Sequence, residues 1–287
     1  MATKKPVTEL DTLLAELNLL TKRIAEVEVG DNTRTLKRAR DKLDSFAERL
    51  SDVSISMDPI RRPASVFDPA DPSTAGQIVA LTLVAQERHA LSEVPNFYGA
   101  GVYAIYYRGD FEPYRALSGT EHPIYVGKAD PDPSAKKDVV SQGPKLSARL
   151  QEHAKSIRQA HSSIKIEDFD CRFLIVQTGF QKTAEDYLIK LFKPIWNSET
   201  KICFGLGKHG DSATTRVNKR SPWDTLHPGR KWADSTLENQ KTYENIVELI
   251  GDHFEKNRPY SDIKEIFEKF MLNMRQLDLN KIYPPLK

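Results

Sequence analysis

The chain has 287 residues, of which 39% are hydrophobic and 29% are charged, with a formal net charge of +2. That length is enough for one good core with an appendage or for two small domains, and the weak overall charge means that a nucleic-acid partner must be attracted by a local basic patch. No run approaches the ~20 apolar residues of a membrane span, and the N-terminus lacks an apolar signal core, so we expect a soluble, cytoplasmic protein with no membrane partner.

The first 57 residues carry two heptad patterns, in which apolar residues alternate between spacings of three and four. A turn-forming cluster, Gly30 to Asn32, separates them, and an antiparallel helical hairpin is therefore predicted over residues 1–57. Its apolar seams could close on each other, pack on the main body or meet a partner chain. The second helix also has a basic face that could contact DNA, although interleaved acidic residues favour a solvated face: Arg34, Lys37, Arg38, Arg40 and Lys42, with Asp41, Asp44 and Glu48 between them.

A proline-rich stretch, residues 58–75, predicts an extended connector. It leads to a central domain over residues 76–233. Residues 234–287 predict a C-terminal extension of two or three helices. The central domain reads as strand, strand, helix, strand, helix, which indicates a small α/β sandwich. Its predicted elements are a preceding helix over 74–94, strands within 98–110, 122–130 and 169–179, helices over 146–160 and 182–197, and a glycine-rich loop region over 205–233. Cys171 and Cys203 have no metal-binding spacing, which favours free thiols in a reducing compartment.

Several polar residues of the central domain have ordinary explanations when each is considered alone. Arg149 and His153 lie four apart on one stripe of a helix, where a polar flank is expected. Glu185 opens the next helix, where the helix dipole favours an acid, and Asn197 follows a helix end, where asparagine is a common cap.

Their order along the chain, together with Tyr103 and Tyr125, instead fits hydrolysis of a phosphodiester. That reaction needs a base for water, a cation for the developing charge, an acid that holds a metal, and positioning groups. The tyrosines could supply a phenolic base or hydrogen bonds to water, Arg149 a phosphate clamp and His153 a proton shuttle. Glu185 is the one well-placed acid, which argues for a single Mg²⁺ rather than a metal pair.

The tripeptides "GVY", Gly101 to Tyr103, and "YVG", Tyr125 to Gly127, followed by Arg149, Glu185 and Asn197, resemble the signature of the GIY-YIG nucleases. His153 resembles the Type II restriction branch of that family, and residues 204–233 resemble the DNA-reading region of the branch that cuts GC-rich palindromes. The resemblance covers residues 66–233. It implies Tyr103 as the water-activating group and Tyr125 as the group that orients water or phosphate, while His153 stays the rival base.

The resemblance implies an α+β fold, a small GIY-YIG α/β sandwich with a three-stranded, mainly antiparallel sheet flanked by helices. It also implies a Type II restriction endonuclease that cuts double-stranded DNA with one Mg²⁺ per active site, for which Mn²⁺ can substitute. A homodimer follows from the symmetry of a palindrome, and the N-terminal hairpin could join dimers into a tetramer. The resemblance alone favours CCGCGG as the target. The alternatives are a homing or repair nuclease of the same family and a catalytically silent DNA-binding or coiled-coil protein.

Basic residues around this core are candidates for DNA contacts. Lys128 follows "YVG" directly and is equally well explained as a phosphate contact or as an exposed lysine. Arginine pairs bidentately with guanine, so the basic segment suits a GC-rich target, although some of its cations must hold phosphates instead. Trp223 and Trp232 are expected to pack in a core. The candidates in the segment are Lys208, His209, Arg216, Lys219, Arg220, Arg230 and Lys231.

Overall fold

The computed structural model describes residues 8–27, 32–58, 60, 68–132, 134, 138–177, 179–207, 219–234 and 238–274. The chain divides into two compact units, one formed by Met1–Ala64 with Leu277–Lys287 and the other by Ser65–Gln276. Among the helices in these described ranges, none is both long and apolar enough to cross a membrane.

The first unit contains the two heptad helices, α1 (Glu9–Ala25) and α2 (Thr33–Met57). Each helix begins at a side-chain cap: Thr8 forms a capping box with Asp11, and the Asn32 side chain accepts hydrogen bonds from two backbone amides. Neither helix buries any of its residues, and seam residues such as Leu43 are 46% exposed. The two helices are confirmed, whereas the turn between them lies outside the described residues and the hairpin stays a prediction.

The second unit is built on an antiparallel sheet of order β1-β4-β2-β3. Its strands are β1 (His89–Ala90), β2 (Gly101–Tyr107), β3 (Tyr125–Ala129) and β4 (Phe169–Ile175). The predicted α+β class is confirmed, as are its three main strands. The short strand β1 was missed, because the helix predicted over 74–94 ends at Val84 and the chain then turns to pair with β4.

Helices cover both faces of this sheet. On one face lie α3 (Pro72–Val84), α5 (Gln181–Phe192) and a C-terminal helix (Ile263–Met274), and on the other lies α4 (Lys145–Gln159). All seven residues of β2 are buried, and they alternate between the two cores. Tyr103 and Ile105 point towards α4, while Val102 and Ala104 point towards α3 and α5.

The segment after α5 is less irregular than the sequence indicated. Helix α5 ends at Phe192, where Lys193 takes a left-handed conformation before Pro194. Two short helices, α6 (Pro222–Leu226) and α7 (Lys231–Asp234), lie within the predicted loop region, and residues 208–218 lie outside the described part. Two further helices follow, α8 (Tyr243–Lys256) and α9, which is the C-terminal helix Ile263–Met274. The predictions of a buried Trp223 and of free cysteines are confirmed.

Candidate active site

Tyr103 lies on the central strand and pairs in register with Gly127 of the edge strand β3. A Cβ atom at Gly127 would lie 2.5 Å from the phenol oxygen of Tyr103 and 2.6 Å from its Cζ atom. Any side chain at this position would therefore displace the phenol. The glycine of the "YVG" tripeptide leaves room for the Tyr103 ring beside the strand.

The Tyr103 phenol forms a hydrogen bond with Nε2 of His153, at 2.6 Å. Both residues are buried, with exposed fractions of 0% and 1%. The Tyr125 ring completes the cluster, with its centroid 6.0 Å from that of Tyr103 and 5.1 Å from that of His153. The sequence left open whether Tyr103 or His153 is the base. In the structure these two residues are hydrogen-bonded to each other.

Arg149 lies one helical turn before His153 on α4 and keeps 27% of its side chain exposed. Its Nη1 atom forms an ion pair with Oε2 of Glu152 at 2.9 Å. Burial lowers the pKa of the guanidinium, but the neighbouring Tyr103 and the hydrogen bond with Glu152 outweigh this effect and raise the pKa overall. Arg149 is therefore a permanent positive charge beside the two phenols.

Burial raises the pKa of both phenols. The pKa of Tyr103 is well above its ordinary value, because burial and the neighbouring Tyr125 oppose ionisation more strongly than Arg149 favours it. The pKa of Tyr125 is raised by burial, lowered by Arg149 and raised by Glu185. A phenol in this pocket cannot act as a base at neutral pH without a partner that takes its proton.

Glu185 approaches the cluster from the opposite face of the sheet. It lies on α5, which packs against Val102, Ala104 and Val126, whereas Arg149 and His153 lie on α4. The two faces meet around β3 because this strand has a neighbour on one side only in the order of the sheet. Burial raises the pKa of the half-buried Glu185 carboxyl, while Lys128 and Lys182 lower it.

The chemistry of this carboxylate fits a hydrated divalent ion. Within the described ranges, no group of three or more His, Cys, Asp or Glu side chains is placed to hold a metal. Mg²⁺ keeps several waters and is often bound by one or two carboxylates together with substrate phosphate oxygens. The single half-buried carboxylate of Glu185, which acts with Arg149 on the Tyr125 phenol, suits that mode of binding.

Asn197 bonds to the backbone of Val126, the residue between Tyr125 and Gly127. Its Oδ1 atom accepts from the Val126 amide at 3.0 Å, and its Nδ2 atom donates to the Val126 carbonyl at 2.8 Å. Asn197 thus completes the free side of the edge strand in place of a further strand. Its side chain is therefore bonded to the backbone next to Tyr125.

The predicted DNA-contacting residues have different environments. Lys128 pairs with Asp130, Lys219 pairs with Glu238 at 3.2 Å, and Lys231 is exposed. Arg220 donates to the carbonyls of Ala233 and Asp234 at the end of α7. The remaining candidates, Lys208, His209 and Arg216, lie outside the described residues.

Arg230 corrects one prediction from the sequence. Its side chain is 2% exposed and forms an ion pair with the buried Asp224, with Nε 2.7 Å from Oδ1. Its terminal nitrogens donate to the carbonyls of Gly205 and Leu206 at 2.9 and 3.0 Å. The guanidinium is therefore committed to interactions within the protein, and the expectation that it reads bases or holds phosphate was wrong.

Two residues of the site were not singled out from the sequence. Glu152 carries the ion pair with Arg149, and its spacing of three on a helix was the signal that could have found it. Gly207 approaches the site from the segment after α5, since a Cβ atom there would lie 2.8 Å from Nη2 of Arg149 and 3.8 Å from the Tyr125 hydroxyl. Nothing local to Gly207 indicates this contact.

An antiparallel sheet between α4 and α5, with paired phenols on neighbouring strands and an arginine, a histidine and a glutamate converging on them, defines a nuclease of the GIY-YIG class. The family model described as the Eco29kI GIY-YIG domain matches residues 95–254, and the chain belongs to this family of restriction endonucleases. It is accordingly a site-specific nuclease that acts on DNA, and nucleases of this kind use divalent metal ions. No curated protein matches the chain.

Proposed function

We propose that the protein is a Type II restriction endonuclease that hydrolyses double-stranded DNA within a short GC-rich palindrome, with one Mg²⁺ per active site. The observation that carries this proposal is the hydrogen bond between Tyr103 and His153, beside Arg149 and across the strand edge from Glu185. A cytoplasmic location belongs to the proposal and is supported by the two buried, free cysteines.

In this proposal Tyr103 and His153 act together as the base. Burial makes the phenol hard to ionise, so a lone Tyr103 would not remove a proton from water at neutral pH. A His153 ring with an unprotonated Nε2 accepts the phenol proton over 2.6 Å as the phenol accepts one from water. Tyr125, which is less deeply buried, orients the attacking water or the phosphate.

Arg149 binds the phosphate at which the bond breaks and neutralises its developing negative charge. Phosphate oxygens replace the Glu152 carboxylate, which holds the same guanidinium at 2.9 Å when no DNA is bound. Glu185 holds the Mg²⁺, which when bound supplies Lewis-acid stabilisation of charge on the phosphate. Asn197 is a positioning residue, because its amide fixes the backbone of β3 between Tyr125 and Gly127.

Cleavage of supercoiled plasmid in Mg²⁺, compared with the same reaction in EDTA, tests the enzymatic class. Glu185→Gln should abolish cleavage while the fold is retained, because the amide cannot replace a charged metal ligand. The neighbouring Asp186→Asn is the matched control, since Asp186 is exposed and pairs with Lys182 on the same helix. Cleavage by Glu185→Gln at the parental rate would refute the assignment of this carboxylate, and no cleavage by the parent would favour a silent DNA-binding protein.

Recognition of a GC-rich target is supported by the basic character of residues 204–233, whereas CCGCGG as the favoured palindrome rests on the family resemblance alone. Lys219 and Lys231 are exposed there and are available to the DNA backbone. Mapping the fragment ends of a digested plasmid of known sequence tests the target directly. Ends without a common GC-rich palindrome would reject this part of the proposal and leave the nuclease chemistry intact.

A homodimer, or a tetramer of two dimers, follows from a palindromic target. The exposed apolar seams of α1 and α2 support a role in this assembly, because helices that bury none of their own residues gain stability from a partner. Leu43→Asp in the full chain should lower the mass measured by light scattering, while the control Ser45→Asp, off the seam, should not. An unchanged mass for Leu43→Asp would reject assembly through the seam and leave the alternatives that the seams close on each other or that the basic face of α2 clamps DNA.

A further inference from the structure

A cavity of about 320 Å³ adjoins the site on the side of α4. Arg149 and His153 line one wall, while Gly207, Arg230 and Trp232 belong to the facing segments of the chain. Its walls come from elements far apart in sequence, and they bring the Arg149 side chain next to the segment that holds Gly207.

Arg230 fixes that segment. Its Nη2 donates to the Gly205 carbonyl at 2.9 Å and its Nη1 to the Leu206 carbonyl at 3.0 Å, on two consecutive residues directly before Gly207. The Trp223 amide donates to the Phe204 carbonyl at 3.1 Å, which ties the same segment to α6. The backbone from Phe204 to Leu206 is therefore held from one side by α6 and Arg230.

The guanidinium is itself held in one orientation. Its Nε donates to Asp224 at 2.7 Å, and Asp224 also accepts from the Ser221 hydroxyl at 2.5 Å. Its Cζ atom lies 4.5 Å from the ring centroid of Trp223 and 4.7 Å from that of Trp232. A planar group that stacks on two indoles and donates in three directions is a geometry that arginine provides and lysine does not.

The Gly207 backbone lies against the end of the Arg149 side chain. A Cβ atom on it would lie 2.8 Å from Nη2 of Arg149, closer than real Cβ atoms approach other heavy atoms. The Gly207 backbone therefore sets one limit on where the Arg149 guanidinium can lie. Because Gly207 does not have a left-handed backbone, replacing it with alanine changes the available space without straining the chain.

We infer that Arg230 is a positioning residue for the nuclease reaction, which acts through the Gly205–Gly207 backbone to place the guanidinium of Arg149. The inference depends on the proposed role of Arg149 as the phosphate clamp. A displacement of about 1 Å in such a clamp can lower the rate about 100-fold, while binding of a long DNA duplex draws on many other contacts. Arg230 thus governs kcat more than KM.

Steady-state cleavage of a plasmid by the full chain in Mg²⁺ tests this inference with two variants and a control. Arg230→Lys keeps the charge beside Asp224 but loses the forked donation, and we expect kcat to fall between about 10-fold and 100-fold while KM changes little. Gly207→Ala should lower kcat in the same way with an unchanged melting temperature, because only the end of the Arg149 side chain must move. Gly207→Ala tests whether this backbone limits the position of Arg149, and Arg230→Lys tests whether Arg230 sets that backbone.

Arg172→Lys is the matched control, because Arg172 has the same kind of environment as Arg230. It is buried and donates to the Gln86 carbonyl at 2.7 Å. It also pairs with Glu121 and lies over the ring of Tyr106. Arg172→Lys and Arg230→Lys should both lower the melting temperature, because each loses a buried donor to a backbone carbonyl, but Arg172→Lys should keep the parental kcat. Parental kcat for Gly207→Ala, or equal kcat losses in Arg230→Lys and Arg172→Lys, would overturn the inference. A parent that does not cleave DNA at all would instead refute the proposed function.

Discussion

Asn197 forms hydrogen bonds with both backbone polar groups of Val126. It accepts from the Val126 amide at 3.0 Å and donates to the Val126 carbonyl at 2.8 Å. This pairing replaces the missing neighbour of the edge strand β3 and so supports Tyr125 and Gly127 on either side of Val126. Asn197 is therefore bonded to the backbone of the strand that carries both Tyr125 and Gly127.

Asn197→Asp should destabilise the protein, because a carboxylate cannot donate to the buried Val126 carbonyl. Leaving one buried acceptor unpaired costs about 1–3 kcal/mol in the free energy of unfolding, which urea titration measures. Asn273→Asp is a suitable control, since that residue is exposed and donates to the Tyr187 hydroxyl. Equal stabilities of Asn197→Asp and the parent would show that the pairing with Val126 is dispensable.

Tyr103→Phe and His153→Ala should act as one unit if the two side chains form a joint base. Each change removes the same proton path, so each should lower the single-turnover rate about 100-fold or more. The double variant should then be no slower than the slower single variant. Multiplicative losses would mean that the hydrogen bond of 2.6 Å between them has no part in the reaction.

Glu152→Gln should strengthen DNA binding. The carboxylate competes with phosphate for the Arg149 guanidinium, and removing its charge lowers the competition without removing the side chain. We expect KM to fall about twofold to fivefold at low salt, since a half-exposed ion pair is worth less than about 1 kcal/mol.

The control for this change is Glu112→Gln, whose carboxylate pairs with Arg115 at the same spacing and the same distance of 2.9 Å, on an exposed surface. It should leave KM unchanged. A KM for Glu152→Gln that matches the parental value in a salt titration would contradict competition between the carboxylate and DNA.

Glu185→Gln should stabilise the protein at neutral pH while it abolishes cleavage. Burial raises the pKa of this carboxyl, so ionising it costs more in the folded than in the unfolded chain. The parent therefore loses stability as the pH rises through this pKa, and the variant does not. Thermal unfolding at pH 7 and at about pH 4 measures the difference, which should shrink at the lower pH where both side chains are neutral. A variant less stable than the parent at pH 7 would indicate that the carboxylate is favourably paired.

How much of the fold the sequence predicts depends on how local each signal is. The helices α1, α2, α4 and α5 follow from periodicity over ten or more residues, and the strands β2, β3 and β4 from apolar runs. The strand β1 has two residues and exists only because β4 offers it a partner. No local pattern distinguishes those two residues from the last turn of α3, and the helix was therefore predicted too long.

The candidate site also has one part that the sequence predicts and another that only the packed structure shows. The sequence by itself determined which residues are candidates for the site. Two tripeptides and four polar residues in a fixed order form a pattern that can be recognised along the chain without any structure. Only the tertiary structure decided that a helix on each face of the sheet reaches one edge strand, that Asn197 completes that strand, and that Arg230 supports the protein instead of DNA. The physical reason is that burial and hydrogen bonding depend on neighbours many residues away, so whether a polar side chain binds substrate or holds the fold is settled only when the chain has packed.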